Sequence, residues 1–417
     1  MKFNSPALVL VGRLGASALA LISAPIVARA IGPDGRGETA AAVALFSLVP
    51  VIIGLGLPLE LRRIVAAEGH SGSIRSSRQL VLLSVLFAVP LALILRSTIF
   101  QSFESDAKLA ATIGVAMSPL TLSWICDIGV LVAKRDFLGI VSLQLLQPTS
   151  YLVGIIVLWV TELATTASVI WVFVGSNVVS FFFGLFRAGI APKGAATRPK
   201  MLAKGSIRYA GGALAESASN RLDQVIALPI LGAAQAGLYS VSVTVGLAPL
   251  AIAQALSSSS FTPITTARDR RRKRLISESI SHVASLSIVA ALLLFCFGPS
   301  LVDLLFGEAF RDAAPAIRMS AVSCFMASIA VQASSNLIAI GRPRQLAFTQ
   351  MVSLAVGIAG LLVLGPALGS LGAAIASAIG YGVLAILAVH HCHAGIRSML
   401  PTPRAFVGGL KVLLRSR

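Results

Sequence analysis

The sequence is short of charge, and shorter still of negative charge. Of 417 residues only 12% are Asp, Glu, Lys or Arg, and the acids number 16 against 34 Lys and Arg. Soluble domains carry roughly twice that charged fraction, so a soluble globular class is excluded. Cysteine is scarce too. Cys126, Cys296, Cys324 and Cys392 have no close spacing, which excludes a disulfide framework and leads us to expect free apolar thiols. No GxxxxGK[ST] stretch occurs, so the chain does not hydrolyse ATP by the P-loop route.

What fills the sequence instead is apolar: 56% of residues, with a mean hydropathy of +0.88. Windows of about 20 apolar residues, each able to cross a hydrocarbon core of ~30 Å, recur along the chain. Twelve are expected, at 7–29, 40–62, 79–98, 109–132, 138–160, 166–187, 207–230, 238–262, 279–304, 314–340, 346–366 and 371–393. Short loops join them and leave no room for a sizeable soluble domain. The first window has no clear small-residue cleavage site and reads as a retained helix.

The net charge of +18 is placed for topology. If the windows alternate from a cytoplasmic N-terminus, inner segments hold 23 Lys and Arg, outer loops 3 and windows 8. "RDRRRKR" (268–274) and Lys193, Arg198, Lys200 and Lys204 lie inside; Asp34, Glu38, Glu104 and Asp106 lie outside. This bias predicts a multi-pass protein with both termini cytoplasmic and no nucleic-acid partner. The tail "RAFVGGLKVLLRSR" (404–417) is expected on the inner membrane surface, with Gly408 and Gly409 counting against a helix.

A shift of 200 residues exposes a repeat. Between 12–43 and 212–243, eight of 32 positions are identical, among them Gly12/Gly212, Gly32/Gly232 and Gly37/Gly237; chance gives roughly three in such a composition. The match aligns window one with window seven. The fold class expected is therefore all-α and integral to the membrane: about 12 helices in two six-helix lobes, 1–187 and 207–396, related by a pseudo-two-fold axis along the membrane normal. A basic linker (188–206) and a basic tail (397–417) complete the chain. Pro25, Pro50, Pro58, Pro148, Pro229 and Pro249 fall within windows, and "GLGLP" (54–58) is the expected flexible point.

Four stretches carry a family resemblance: "ARAIGPDGRGETAAAVALFSLVPVIIGLGLPLELRRIVA" (28–66), "SNRLDQVIALPILGAAQAGLYSVSVTV" (219–245), "LLFGEAFRDAAPAIRMSA" (304–321) and "LIAIGRPRQ" (337–345). They resemble helical segments of polysaccharide-biosynthesis lipid flippases, Wzx-like members of the multidrug/oligosaccharidyl-lipid/polysaccharide exporter superfamily. The resemblance implies a transporter rather than an enzyme. It implies a multi-pass protein of the bacterial inner membrane that moves polyprenyl-diphosphate-linked sugars from the inner to the outer leaflet. Its partners would be the lipid-linked glycan, the bilayer, and a polysaccharide polymerase with its export machinery; no cofactor is implied. "GRGETA" lacks the aromatic residue usual after the first outer-loop glycine. Window eight carries no charge, where lipid II flippases place an arginine, and those proteins usually have two further helices; this weighs against a peptidoglycan precursor.

A lipid diphosphate needs cations, and the guanidinium fork suits phosphate. Arg13, Arg62 and Arg208 fall on the cytoplasmic half of windows one, two and seven, with Arg63 just past the inner end of window two; ordinary snorkelling competes with phosphate binding at each. Window seven also holds Glu216, Asn220, Arg221 and Asp223, although charge at membrane depth is costly. Residues turn 100° each along a helix, so Glu216, Asn220 and Asp223 form one stripe while Arg221 points nearly opposite Asp223. The stripe would take a proton or cation, or hold sugar hydroxyls. Arg221 would meet an acid of another helix, with Asp127 a candidate, or reach the diphosphate by local unwinding near Pro229; plain structural ion pairing is the competing account. "HHCH" (390–393) puts only His390 and His393 on one face, too few for a metal site.

Two transport classes and one structural class remain. A cation-coupled multidrug exporter of the same superfamily favours an acid-dominated cleft. A scaffold should lack buried charge. The windows hold eight Arg against Glu60, Asp127, Glu216, Asp223 and Asp303, which leans towards an anionic substrate.

Overall fold

A computed structural model describes residues 6–68, 71–189 and 199–415. Lys193 and Arg198 of the basic linker lie outside the described residues. The chain is all-α, with no strand among the described residues. Two elements are too long for one crossing: α1 (Pro6–Gly54) and α14 (Pro343–His391) have 49 residues each. A straight helix of that length would run about 74 Å, more than twice the hydrocarbon thickness. Each is broken by one glycine, Gly32 (φ 68, ψ −177) and Gly369 (φ 58, ψ −133), in conformations that side chains with a Cβ avoid.

The other windows also become helices, several of them bent. In order they are α2 (Leu57–Glu68), α3 (Ser71–Leu83) with α4 (Val85–Ser97), α5 (Ser105–Ala116) with α6 (Ser118–Ala133), α7 (Phe137–Val160), α8 (Thr166–Ala188) and α9 (Pro199–Leu231). Then come α10 (Ala233–Gly246) with α11 (Leu250–Thr266), α12 (Asp269–Phe306) and α13 (Ala314–Ala339), followed after α14 by α15 (Pro403–Arg415). Among the described residues seven helices are long and apolar enough to cross a membrane, and nine when the α5–α6 and α10–α11 bends, of 42° and 45°, each count as one crossing. Dividing α1 and α14 at their glycines brings eleven. The twelfth is α9, whose Lys200, Lys204, Arg208, Glu216, Arg221 and Asp223 make it far more polar than its neighbours.

The repeat is visible in the backbone. Gly232, the counterpart of Gly32, separates α9 from α10 at φ 79 and ψ 167, so the same corner stands 200 residues on. The expected flexible point is a real break: Leu55 and Gly56 both have positive φ, 42° and 81°.

The chain forms two compact units, Met1–Pro229 and Ile230–Arg417. In the first, α1 packs along α7, and α6 lies against α2 and α8. Leu57, Leu61, Leu122, Cys126 and Leu202 share one of its cores. In the second, α13 is central, packed on α11, α12 and α14, and its Ile329, Ala330, Ala333 and Leu337 are fully buried. The tail is a helix despite its glycines: Thr402 Oγ1 accepts the Ala405 N–H and Pro403 opens the first turn.

Candidate functional site

The polar helix α9 starts against the break in α2. A Cβ on Gly56 would sit 2.6 Å from the Ser206 carbonyl oxygen and 2.8 Å from Tyr209 Cβ, so only glycine admits α9 here. One turn on, Gly205 rests directly on the carboxylate of Glu60. Glu60 is buried at 4% exposure. It accepts from both Nε (2.9 Å) and Nη2 (2.7 Å) of Arg63, a two-pronged pair across one helical turn.

Arg208 follows Gly205 by three residues, on the same face of α9, and lies within electrostatic reach of Glu60. Arg62 leans the other way, its Cβ against Gly129 of α6. Arg62 and Arg208 are exposed and have no ion pair among the described residues. The cluster on α2 and α9 is therefore one carboxylate with two guanidiniums, Arg63 committed to it and Arg208 within reach, while Arg62 stands on the α6 side of α2. Its surplus charge can hold an anion.

Asp127 belongs elsewhere. It is 1% exposed and accepts from Nη2 of Arg78 and, at 3.2 Å, from Nη1, which also donates to Ser123 Oγ. Gly184 of α8 closes over the pair: a Cβ there would lie 2.8 Å from Asp127 Oδ2. Arg221 is thus not the partner of Asp127, because Arg78 already fills its coordination. The sequence did hold a signal for Arg78. A carboxylate five residues from the inner end of window four needs a counter-charge, and Arg78 stands one residue before window three at that same end.

The remaining site residues are less gathered. Arg13 is exposed on α1, beside Gly12, which packs on Gln144 and Val141 of α7. Glu216 and Arg221 are exposed, Asp223 half-buried. The α9 helix continues through Pro229 to Leu231, so no unwinding turns Arg221. The side chain of Asn220 lies outside the described residues. A further pair missed by sequence reasoning joins Arg187 to Asp136, which also caps α7 by accepting the Gly139 N–H.

The "HHCH" segment is used structurally. Arg342 donates to the His391 carbonyl (2.8 Å) and meets His393 Nε2 (2.9 Å), and Cys392 is buried against α13. No group of three metal-ligating side chains occurs among the described residues.

The helix count, the single-glycine corners and the polar seventh helix define a multi-pass membrane transporter fold, and solved structures share it. A lipid II flippase, MurJ, in an inward closed conformation superposes with a TM-score of 0.78 at 12% identity, over 98% of this chain and 92% of that one. An inward-facing MATE-family multidrug resistance transporter of the MOP superfamily gives 0.70 at 15% identity, over 99% of both. A MOP-superfamily transporter from Pyrococcus furiosus, described as having a binding pocket of reverse polarity, gives 0.61 at 14% identity, over 99% and 95%. No curated protein matches the sequence. Residues 26–315 match the family described as polysaccharide biosynthesis protein, and the chain belongs to that family.

Proposed function

We propose that the protein is an alternating-access flippase. It carries a polyprenyl-diphosphate-linked oligosaccharide from the inner to the outer leaflet of the bacterial inner membrane, with both termini cytoplasmic. Family membership and the lipid II flippase fold support a lipid-linked substrate. The observation that carries the reading is the cation surplus on α2 and α9, where Arg208 stands near a Glu60 already neutralised by Arg63 and Arg62 adds a further cation on the α6 side of α2.

A diphosphate bears about two charges that hydrocarbon does not solvate. Guanidinium forks at the basic ends of the helices replace its water, while the polyprenyl tail stays in lipid. Arg13 and Arg221 extend the positive surface along α1 and α9. Glu216 and Asp223, with Asn220, would serve sugar hydroxyls or a coupling cation. In this reading 1–187 and 207–396 are the two lobes whose alternation gives access to each side in turn. Two negative charges moving outward across the full field would gain roughly 5 kcal/mol per 100 mV, enough to bias flipping without ATP.

In cells, Arg13→Ala combined with Arg62→Ala is expected to strand the lipid-linked glycan on the inner leaflet, with the protein still inserted at normal level. Normal export by the double variant would sink the cationic-cleft reading. A second reading, cation-coupled export of small molecules, draws on Glu216, an exposed acid of α9 with no ion pair among the described residues. It is favoured if Glu216→Gln abolishes the response of reconstituted transport to a proton or sodium gradient while glycan export continues.

A further inference from the structure

The second compact unit ends in a helix whose two faces do different things. The inner face of α15 docks on α11 and α12. Phe406 and Val412 pack on the core of Ala253, Leu256, Val283 and Leu286. Gly408 and Gly409 let the backbone come close: a Cβ at 408 would lie 2.6 Å from His282 Nε2, and one at 409 would lie 2.8 Å from Leu286 Cδ1. Two hydrogen bonds tie the approach to α12, Ser281 Oγ to the Ser398 carbonyl and the Thr402 N–H to Ser285 Oγ.

The outer face has no partner among the described residues. Arg404, Val407, Leu410 and Lys411 are all exposed, and they share an arc of about 120° opposite Gly409 and Val412. Within that arc the charges are separated from the apolar side chains. Arg404 and Lys411 occupy one edge, Val407 and Leu410 the other.

Depth identifies the occupant. Along α12, residues 269–278 are the charged start, and the apolar window opens at 279. The contacts of α15 fall on Ser281, His282, Ser285 and Leu286, in the first turns of that window. A helix held there lies at headgroup level, with an apolar edge for acyl chains and a basic edge for anionic lipid. A water-soluble acidic partner would satisfy Arg404 and Lys411 but not Val407 and Leu410.

We propose that α15 is a binding element for anionic phospholipid headgroups in the leaflet on the basic side, and that this lipid holds it down as a strap joining α11 to α12. The inference rests on α12 crossing a membrane and is independent of the transported substrate. Each basic side chain near an anionic surface contributes roughly a fivefold gain in binding.

The test uses the full chain with Val407→Cys carrying a fluorophore, in a Cys296→Ser background because the other three cysteines are buried. The protein is reconstituted into vesicles of phosphatidylcholine, with or without phosphatidylglycerol, containing lipids with a nitroxide on the headgroup. Quenching is expected to deepen with phosphatidylglycerol and to lose that dependence in the Arg404→Glu/Lys411→Glu variant. These substitutions leave the docked face intact, so unchanged thermal stability would separate lost lipid contact from misfolding. Equal quenching in both lipids, retained lipid dependence in the double variant, or no quenching because a protein partner or second copy covers the face would each overturn the proposal.

Discussion

The two compact units pin equivalent helices with different chemistry. In the first, α3 is fastened to α6 by an ion pair, Arg78 with Asp127, assisted by Ser123. In the second, α12 is fastened to α13 by neutral groups. Asn336 donates to Ser279 (3.3 Å) and receives from Gln332 (2.8 Å), which also joins Ser260 and Ser257 of α11. At the 200-residue shift Arg78 falls on Glu278, one residue from Ser279, so the pins stand at matching places. Glu278 itself is turned to the surface, where it pairs with Arg274. At that depth this end of each unit is held by a polar fastener, and either charge or amides serve. The charged version holds only while both partners are present; the amide version spreads its load over five side chains.

The largest expected effect comes from breaking the charged pin on one side. Asp127→Ala leaves Arg78 largely buried without its counter-charge and should destabilise the protein by about 3–5 kcal/mol, read as a lowered unfolding temperature in detergent. Replacing both partners separates charge from packing. Arg78→Met with Asp127→Leu should recover most of that loss, because no charge is stranded; if the double variant is as unstable as the single one, packing rather than charge explains the effect.

Next in size is the amide pin. Gln332 is fully buried, and Gln332→Leu strands groups of Ser257, Ser260 and Asn336 together, for about 1–3 kcal/mol. A loss exceeding that of Asp127→Ala would reverse the ranking of the two fasteners. The smallest effects are expected from Ser123→Ala and Ser257→Ala, about 1 kcal/mol each, since each removes one hydrogen bond from a network that keeps the others. A much larger loss in either would mean that the serine, and not the arginine or glutamine, is the centre of its network.

Sequence reasoning reached the membrane class and the helix positions because hydropathy over about 20 residues is set by the bilayer and needs no knowledge of packing. The corner at Gly32 and Gly232 was legible as an identity in the repeat, and the break at Leu55–Gly56 as a glycine-rich motif. The bends at Met117 and Leu247–Pro249 were not, since a running average carries no angle. The pairing of Arg78 with Asp127 joins residues 49 positions apart, and no local pattern reports such a contact. Gly408 and Gly409 were misjudged for a physical reason. Intrinsic propensity marks them as poor helix residues, yet tertiary docking on His282 requires their small size. Of the candidate site, Glu60, Arg63 and Arg208 come together on α2 and α9, which depends on the close approach at Gly56 and Gly205.

The single-residue corners at Gly32 and Gly369 have a consequence for biosynthesis. With one residue between two spans, the ribosome-bound chain has no loop to leave waiting in water while the second span emerges. Each such pair must therefore leave the translocation channel as a closed hairpin, its two helices entering lipid together. The commitment falls on the pair, so a polar defect in either arm delays both.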